Sequence, residues 1–84
     1  MWYFDIIKSN ADHKLYFGST KDLKRRIKEH NAGNVTSTKS RAPFSLVYYE
    51  AFLDEYSARN RENNVKSSRG TRSALLKRIR TDLD

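Results

Sequence analysis

Two runs of aromatic and β-branched residues lie so close together at the start of this chain that they can be joined only as a hairpin. WYFDIIK (2–8) and KLYFG (14–18) meet through the polar turn SNADHK, which is far too short for the crossover that parallel strands need. The side-chain period of two places Trp2, Phe4 and Ile6 on one face of the first strand and Tyr3, Asp5 and Ile7 on the other. Gly18 ends the second strand, where the chain can bend without a side chain in the way. A helix then starts near Ser19 to Asp22, a pair spaced like a capping box with aspartate in place of glutamate. Leu23 and Ile27 form its apolar stripe, Arg26 and His30 lie one turn apart on an adjoining face, and Asn31 to Gly33 closes it.

Residues 34–42 read as a polar, basic loop, and FSLVYYEAF (44–52) after Pro43 is a third strand. A second helix over 54–66 takes Asp54 as its cap and turns Ala58, Arg61, Glu62 and Val65 to one face. SSRGT interrupts the pattern, and SALLKRIR forms a last helix with Leu75, Leu76 and Ile79 inward. We therefore expect one α/β domain of the α+β kind over 1–84: a three-stranded, mostly antiparallel sheet flanked by helices in the order β-β-α-β-α-α.

Eighty-four residues leave little room for a lobed cleft, so any working surface is shallow and suits a polymer better than a metabolite. Lysine and arginine number 17 against 10 acidic residues, a net charge of +7, which on so small a surface attracts a polyanion. The partner expected is DNA, or RNA, rather than a membrane. Cysteine is absent, so no disulfide or thiolate metal site holds the fold, and two histidines do not fill a zinc shell. No apolar run approaches the roughly 18 residues of a membrane span, and MWYFDIIK lacks a secretory signal's basic start. The expected setting is the cytoplasm, and the expected state a monomer.

The residues able to do chemistry are Tyr3, Asp5, Tyr16, Arg26, His30 and Glu62. Tyr16 ends a strand, so its hydroxyl can emerge at the core's edge; the plain alternative is an amphipathic core tyrosine. An aspartate inside so apolar a strand as the first needs partners if buried, or a raised pKa. Arg26 borders the apolar stripe, so packing of its stem can hold its fork toward a phosphate. His30 is placed to bond a tyrosine or a phosphate, or simply to favour the helix C-terminus. Glu62 faces the sheet, where a lone carboxylate near phosphates is a natural ligand for Mg²⁺; ion pairing along a wet face is the alternative. The cations expected to contact nucleic acid are Lys24, Arg25, Lys28, Lys39, Arg41, Arg59, Arg69 and Arg72.

Tyr16-Phe17-Gly18, then Ser19-Thr20, Asp22-Leu23, Arg26, His30 and Asn31, then Thr38, the run from Pro43 to Phe52 and the pair Arg61-Glu62 together resemble the GIY-YIG nuclease family. The chain is similar to its small single-domain members, which match the N-terminal endonuclease domain of the excision-repair subunit UvrC. The resemblance implies that Tyr16 is the second-motif tyrosine near the scissile phosphate and Arg26 the arginine that steadies its charge. It also implies that His30 bonds a catalytic tyrosine and that Glu62 holds a single Mg²⁺ or Mn²⁺. The first motif departs: its tyrosine is expected about eleven residues before Tyr16, where Asp5 stands, and its glycine is missing. Tyr3 shares the strand face but lies about 7 Å along it.

The resemblance thus implies a metal-dependent DNA endonuclease, structure-selective and weakened at Asp5, acting in DNA repair. Asp5 acts there as a carboxylate base or second ligand, or else leaves the alternative, a non-catalytic nucleic-acid-binding module.

Overall fold

The computed structural model describes residues 1–80; the last four residues of the expected domain lie outside it. Strands β1 (Trp2–Ser9), β2 (Leu15–Thr20) and β3 (Phe44–Phe52) are joined by helix α1 (Leu23–Asn31) and followed by α2 (Glu55–Ser67) and α3 (Arg69–Arg78), with one 3₁₀ turn at Lys39–Arg41. The β-β-α-β-α-α order is the expected one. All strand pairs are antiparallel, in the order β2-β1-β3.

The central place of β1 explains its near-continuous apolar sequence, because both its faces are covered. Phe4 and Ile6 are fully buried against Val65, Leu75 and Ile79 of the α2–α3 side. Each such side chain contributes about 1.5–3 kcal/mol through burial. Ile7 is fully buried on the opposite face, beneath α1. Asp5 shares that second face and is equally inaccessible to solvent.

A bulge in β3 serves both layers. Ile6 pairs with Tyr48 but Ile7 pairs with Leu46, so Val47 is the extra residue. Leu46 is thereby turned toward α1, while Val47 and Tyr48 pack on the α2–α3 core.

Two expected boundaries differ. The cap of α1 is Asp22 alone, whose carboxylate accepts from Arg25 N at 3.0 Å; Ser19 and Thr20 stay in β2, where strand pairing outcompetes the capping box. The break expected over SSRGT shrinks to Ser68. Its side chain caps α3 by accepting from Thr71 N at 3.1 Å, and α3 absorbs Arg69, Gly70 and Thr71 into its first turn. Asp54 caps α2 as expected, accepting from Ser57 N at 2.7 Å. Gly33 closes the end of α1 at φ +76°, a backbone conformation natural to glycine. Asn31 then ties α1 to β3: its side-chain amide donates to Phe44 O at 3.2 Å and accepts from Phe44 N at 2.6 Å.

Candidate phosphate-binding site

The site is built around a missing side chain. Gly18 of β2 lies opposite Asp5 of β1, and a β-carbon on Gly18 would fall 2.3 Å from Arg26 Nη2. Glycine here is required by that close approach rather than by a turn. Asp22 starts α1, so Arg26 falls one turn in, and its guanidinium lies over Gly18 and reaches Asp5.

Arg26 Nε is 2.7 Å from Asp5 Oδ1 and 2.6 Å from Oδ2. Only the Oδ1 contact has hydrogen-bond geometry, and Oδ2 is buried without a hydrogen bond. Burial pushes the Asp5 carboxyl above its ordinary value, against the opposing pull of the Arg26 charge and hydrogen bond. The pair is close to sealed, with side-chain exposures of 16% for Arg26 and 0% for Asp5.

The rest of the guanidinium is also held. Arg26 Nη1 donates to His30 Nε2 at 2.9 Å. A guanidinium has no acceptor to offer, so Nε2 must carry the lone pair and Nδ1 the proton. Nδ1 then donates to Thr38 Oγ1, 2.9 Å away. Burial, reinforced by the Arg26 charge, holds the His30 pKa below its ordinary value, in keeping with this neutral tautomer. The imidazole also packs edge-on against Phe44, with centroids 5.4 Å apart. His30 was expected to bond a tyrosine or a phosphate, or to favour the helix C-terminus; here, in the last turn of α1, its ring nitrogens are engaged by Arg26 and Thr38.

Arg26, His30, Thr38, Tyr16 and Lys66 line one open cleft of about 410 Å³ at the free edge of β2. Tyr16 turns its hydroxyl toward the hairpin and donates to Asp12 Oδ2 at 3.2 Å. Partial burial, with the Asp12 carboxylate, raises its phenol above the ordinary value, so it is neutral. Tyr3 shares the Asp5 face but does not line the cleft. It pairs with Thr20 and packs edge-to-face on Tyr49, with centroids 5.8 Å apart.

Glu62 approaches from the other layer. Its partner Ser19 alternates with Gly18 and so faces α2; Ser19 Oγ donates to Glu62 Oε1 at 2.7 Å, and Lys66 Nζ to Oε2 at 2.6 Å. Tyr16 and Glu62 therefore lie on opposite faces of β2. They meet only around its edge, where Lys66 lines the Arg26 cleft and the Glu62 charge is felt at Asp5. Burial alone would raise the Glu62 carboxyl, but hydrogen bonds from Lys66 and Ser19 and the charges of Lys66 and Arg26 bring it below its ordinary value. Both Glu62 oxygens are thus engaged, one by an ammonium, and a divalent ion held there would have to displace Lys66 from Oε2. Among the described residues no group of three or more His, Asp or Glu side chains converges on a point.

The other expected cations divide. Lys24, Arg25 and Lys28 are exposed on α1, and Lys39 and Arg69 are exposed elsewhere. Arg41 pairs with Asp12 at 3.4 Å, and Arg59 pairs with Glu55 at 2.6 Å and lies over the Trp2 ring. Arg72 donates to Lys66 O at 3.0 Å, a structural role. Lys66 was missed in the sequence, although its spacing of four from Glu62 on a helix is a usable signal. The Asp5–Arg26 pairing was missed as well, for each residue is conspicuous singly but nothing local joins them.

The sequence model of the GIY-YIG catalytic domain matches residues 1–75. A UPF0213 protein of Haloquadratum walsbyi is 34% identical over 84 residues, covering 99% of this chain and 94% of its own. One from Streptococcus pyogenes is 46% identical over 72 residues, covering 84% and 77%. The solution NMR structure of a UPF0213 protein from Bacillus halodurans superposes with a TM-score of 0.53 at 35% identity, covering 92% of this chain and 84% of that one. With the hairpin, the glycine under the arginine and the order of elements all in place, the chain belongs to the GIY-YIG family, among its UPF0213 proteins.

Proposed function

We propose that this protein binds nucleic acid through its phosphates, as a non-hydrolytic module of the GIY-YIG fold. The observation that carries this reading is the Asp5–Arg26 pair. A guanidinium that stabilises a phosphorane must present its charge to the equatorial oxygens. Here a carboxylate with no access to solvent answers that charge from the position where the first-motif tyrosine is expected. Asp5 also repels the developing negative charge it would have to serve. Nη2 remains for one phosphate oxygen, and Lys66 stands at the same cleft, so a phosphate can be held there. The net charge of +7 supplies the long-range attraction.

A second reading, hydrolysis of DNA with Mg²⁺ or Mn²⁺, is favoured by the retention of Tyr16, Arg26 and Glu62. It requires Lys66 to release Glu62 and Arg26 to leave Asp5.

Purified protein and Asp5→Tyr are assayed for binding and cleavage of nicked, branched and single-stranded DNA, and of RNA, with Mg²⁺ or Mn²⁺. Binding by both is expected to weaken with salt, with a log–log slope of about 0.9 per phosphate contacted. The natural chain is expected not to cleave. Cleavage that appears only with Asp5→Tyr identifies Asp5 as the block. Cleavage by the natural chain replaces the binding reading with the hydrolytic one, and a flat salt response removes both.

A further inference from the structure

The apolar stripe of α1 is left incompletely covered. Leu23 and Ile27 are only half-buried, and with Leu46 and the stems of Lys24 and Lys28 they line an open hollow of about 310 Å³ along β3. Leu23 and Lys24 also line a second hollow, of about 510 Å³, with Tyr3, Lys21 and Arg25. The hollows adjoin through those two shared residues and are taken together as one groove along the helix. Its floor is apolar, and its rim carries Lys21, Lys24, Arg25 and Lys28.

The rim carboxylates are few and occupied. Asp22 caps α1 through Arg25 N, and Glu29 lies 3.7 Å from Arg25. Beside the groove stands Tyr49, 52% exposed although it projects from the strand face that α1 covers elsewhere. It packs edge-to-face with Tyr3 and is the cross-strand partner of Asp5, so this aromatic pair stands on the same sheet face as the carboxylate that pairs with Arg26.

We propose that this groove is a site for unpaired nucleic acid, with a base on the Tyr49–Tyr3 platform and the strand's phosphates along the lysines. The proposal rests on the nucleic-acid reading above and adds to it a class of substrate. The argument is complementarity of two kinds at once. A duplex keeps its base faces stacked inside and offers phosphates, sugars and groove edges but no base face, so it would give the exposed Tyr49 ring nothing to stack on. An unpaired strand presents alternating π-faces and charges, which is the pattern of an aromatic platform beside a basic rim. An acidic amphipathic protein segment would match the same charges and apolar floor, but it lacks the flat π-faces, alternating with charges, that a stacking ring beside a basic rim engages.

The test is fluorescence anisotropy at one fixed salt concentration with three probes of equal length: oligothymidine, a duplex, and an abasic sugar–phosphate oligomer. Tyr49→Leu keeps apolar volume but removes the ring, and Tyr49→Phe keeps the ring; circular dichroism confirms that both fold. Tyr49→Leu is expected to weaken oligothymidine binding about 5- to 100-fold while changing duplex and abasic binding less than about twofold, and Tyr49→Phe to retain the natural affinity. Equal losses for all three probes, or no loss for any, overturn the proposal, and equal losses turn attention to a protein partner. If the natural chain binds duplex and oligothymidine no better than the abasic oligomer, the platform is refuted while backbone binding stands. If it binds none of the probes, the nucleic-acid reading fails and the groove assignment falls with it.

Discussion

Replacing Gly18 by alanine tests whether the arginine owes its place to an absent side chain. The new β-carbon would lie 2.3 Å from Arg26 Nη2, 2.5 Å from Cζ and 2.9 Å from Nη1, all inside contact distance. These atoms end a flexible side chain, so the guanidinium can swing away and the strand need not move. Its departure leaves the Asp5 carboxylate, already short of one hydrogen bond, buried and unpaired. Removing one partner of a buried pair costs about 3–5 kcal/mol, and exchanging glycine for alanine within a strand returns about 0.5–1 kcal/mol. The net loss near neutral pH is therefore about 2–4.5 kcal/mol. Protonation offers Asp5 an escape, so the loss should shrink as the solution becomes mildly acidic. Urea unfolding of the natural chain, Gly18→Ala, Asp5→Asn and the double variant measures this. In the Asp5→Asn background the alanine should cost far less, because no buried charge is abandoned. A Gly18→Ala loss under about 1 kcal/mol, or strict additivity of the two changes, would refute the reasoning.

Three further expectations come from the same geometry. Because burial raises the Asp5 carboxyl above its unfolded value of about 3.8, its contribution to stability is fully present below that value. It is lost as pH rises through the folded pKa, so the stability of the natural chain relative to Asp5→Asn should fall across that window; a rise would reverse the sign. The depressed His30 pKa has the opposite kind of consequence: an NMR titration should place it below the ordinary 6.5, and protonating it should cost stability as pH falls through that ordinary value. A midpoint above 6.5 would contradict the burial of the ring and the Arg26 charge beside it. Glu50 accepts both prongs of Arg61 at 2.9 and 3.0 Å and the Tyr48 hydroxyl at 2.6 Å. Glu50→Gln should cost about 1–3 kcal/mol in urea unfolding near neutral pH, and no change would show the fork to be idle.

The strands and helices were legible because each carries its own period and punctuation. FSLVYYEAF after Pro43 became β3 with unchanged ends, and Asp54 capped α2 as its sequence position suggests. The boundaries that shifted did so where tertiary pairing overruled a local motif. Ser19 has the spacing of a cap, but its place in β2 and its bond to Glu62 on α2 claim it instead. The candidate site was legible only residue by residue. Asp5 stands out as an acid within an apolar strand and Arg26 as a cation on the border of an apolar stripe, yet their meeting depends on Gly18: the twenty-one positions between them are closed by one strand pair and one helical turn. Lys66 and Thr38 enter the cleft from elements whose approach to β2 no periodicity announces. The side of the sheet on which Glu62 falls was equally hidden, being decided by whether α2 packs above or below the hairpin.

The junction at Ser68 makes the two last helices a single cooperative unit. Its backbone N–H donates to Asn64 O at 3.0 Å at the end of α2, while its hydroxyl starts α3. Arg72 reaches back to the Lys66 carbonyl, and Leu75 and Ile79 anchor α3 in the core beside Val65. The last turn of α2 therefore cannot fray without loosening α3, and amide hydrogens on both sides of Ser68 should exchange with one common opening energy. That last turn carries Lys66, which with Arg26 lines the cleft. Order at the cleft is thus set in part by a helix that contributes no side chain to it, and loosening α3 would free Lys66 while leaving Arg26 in place.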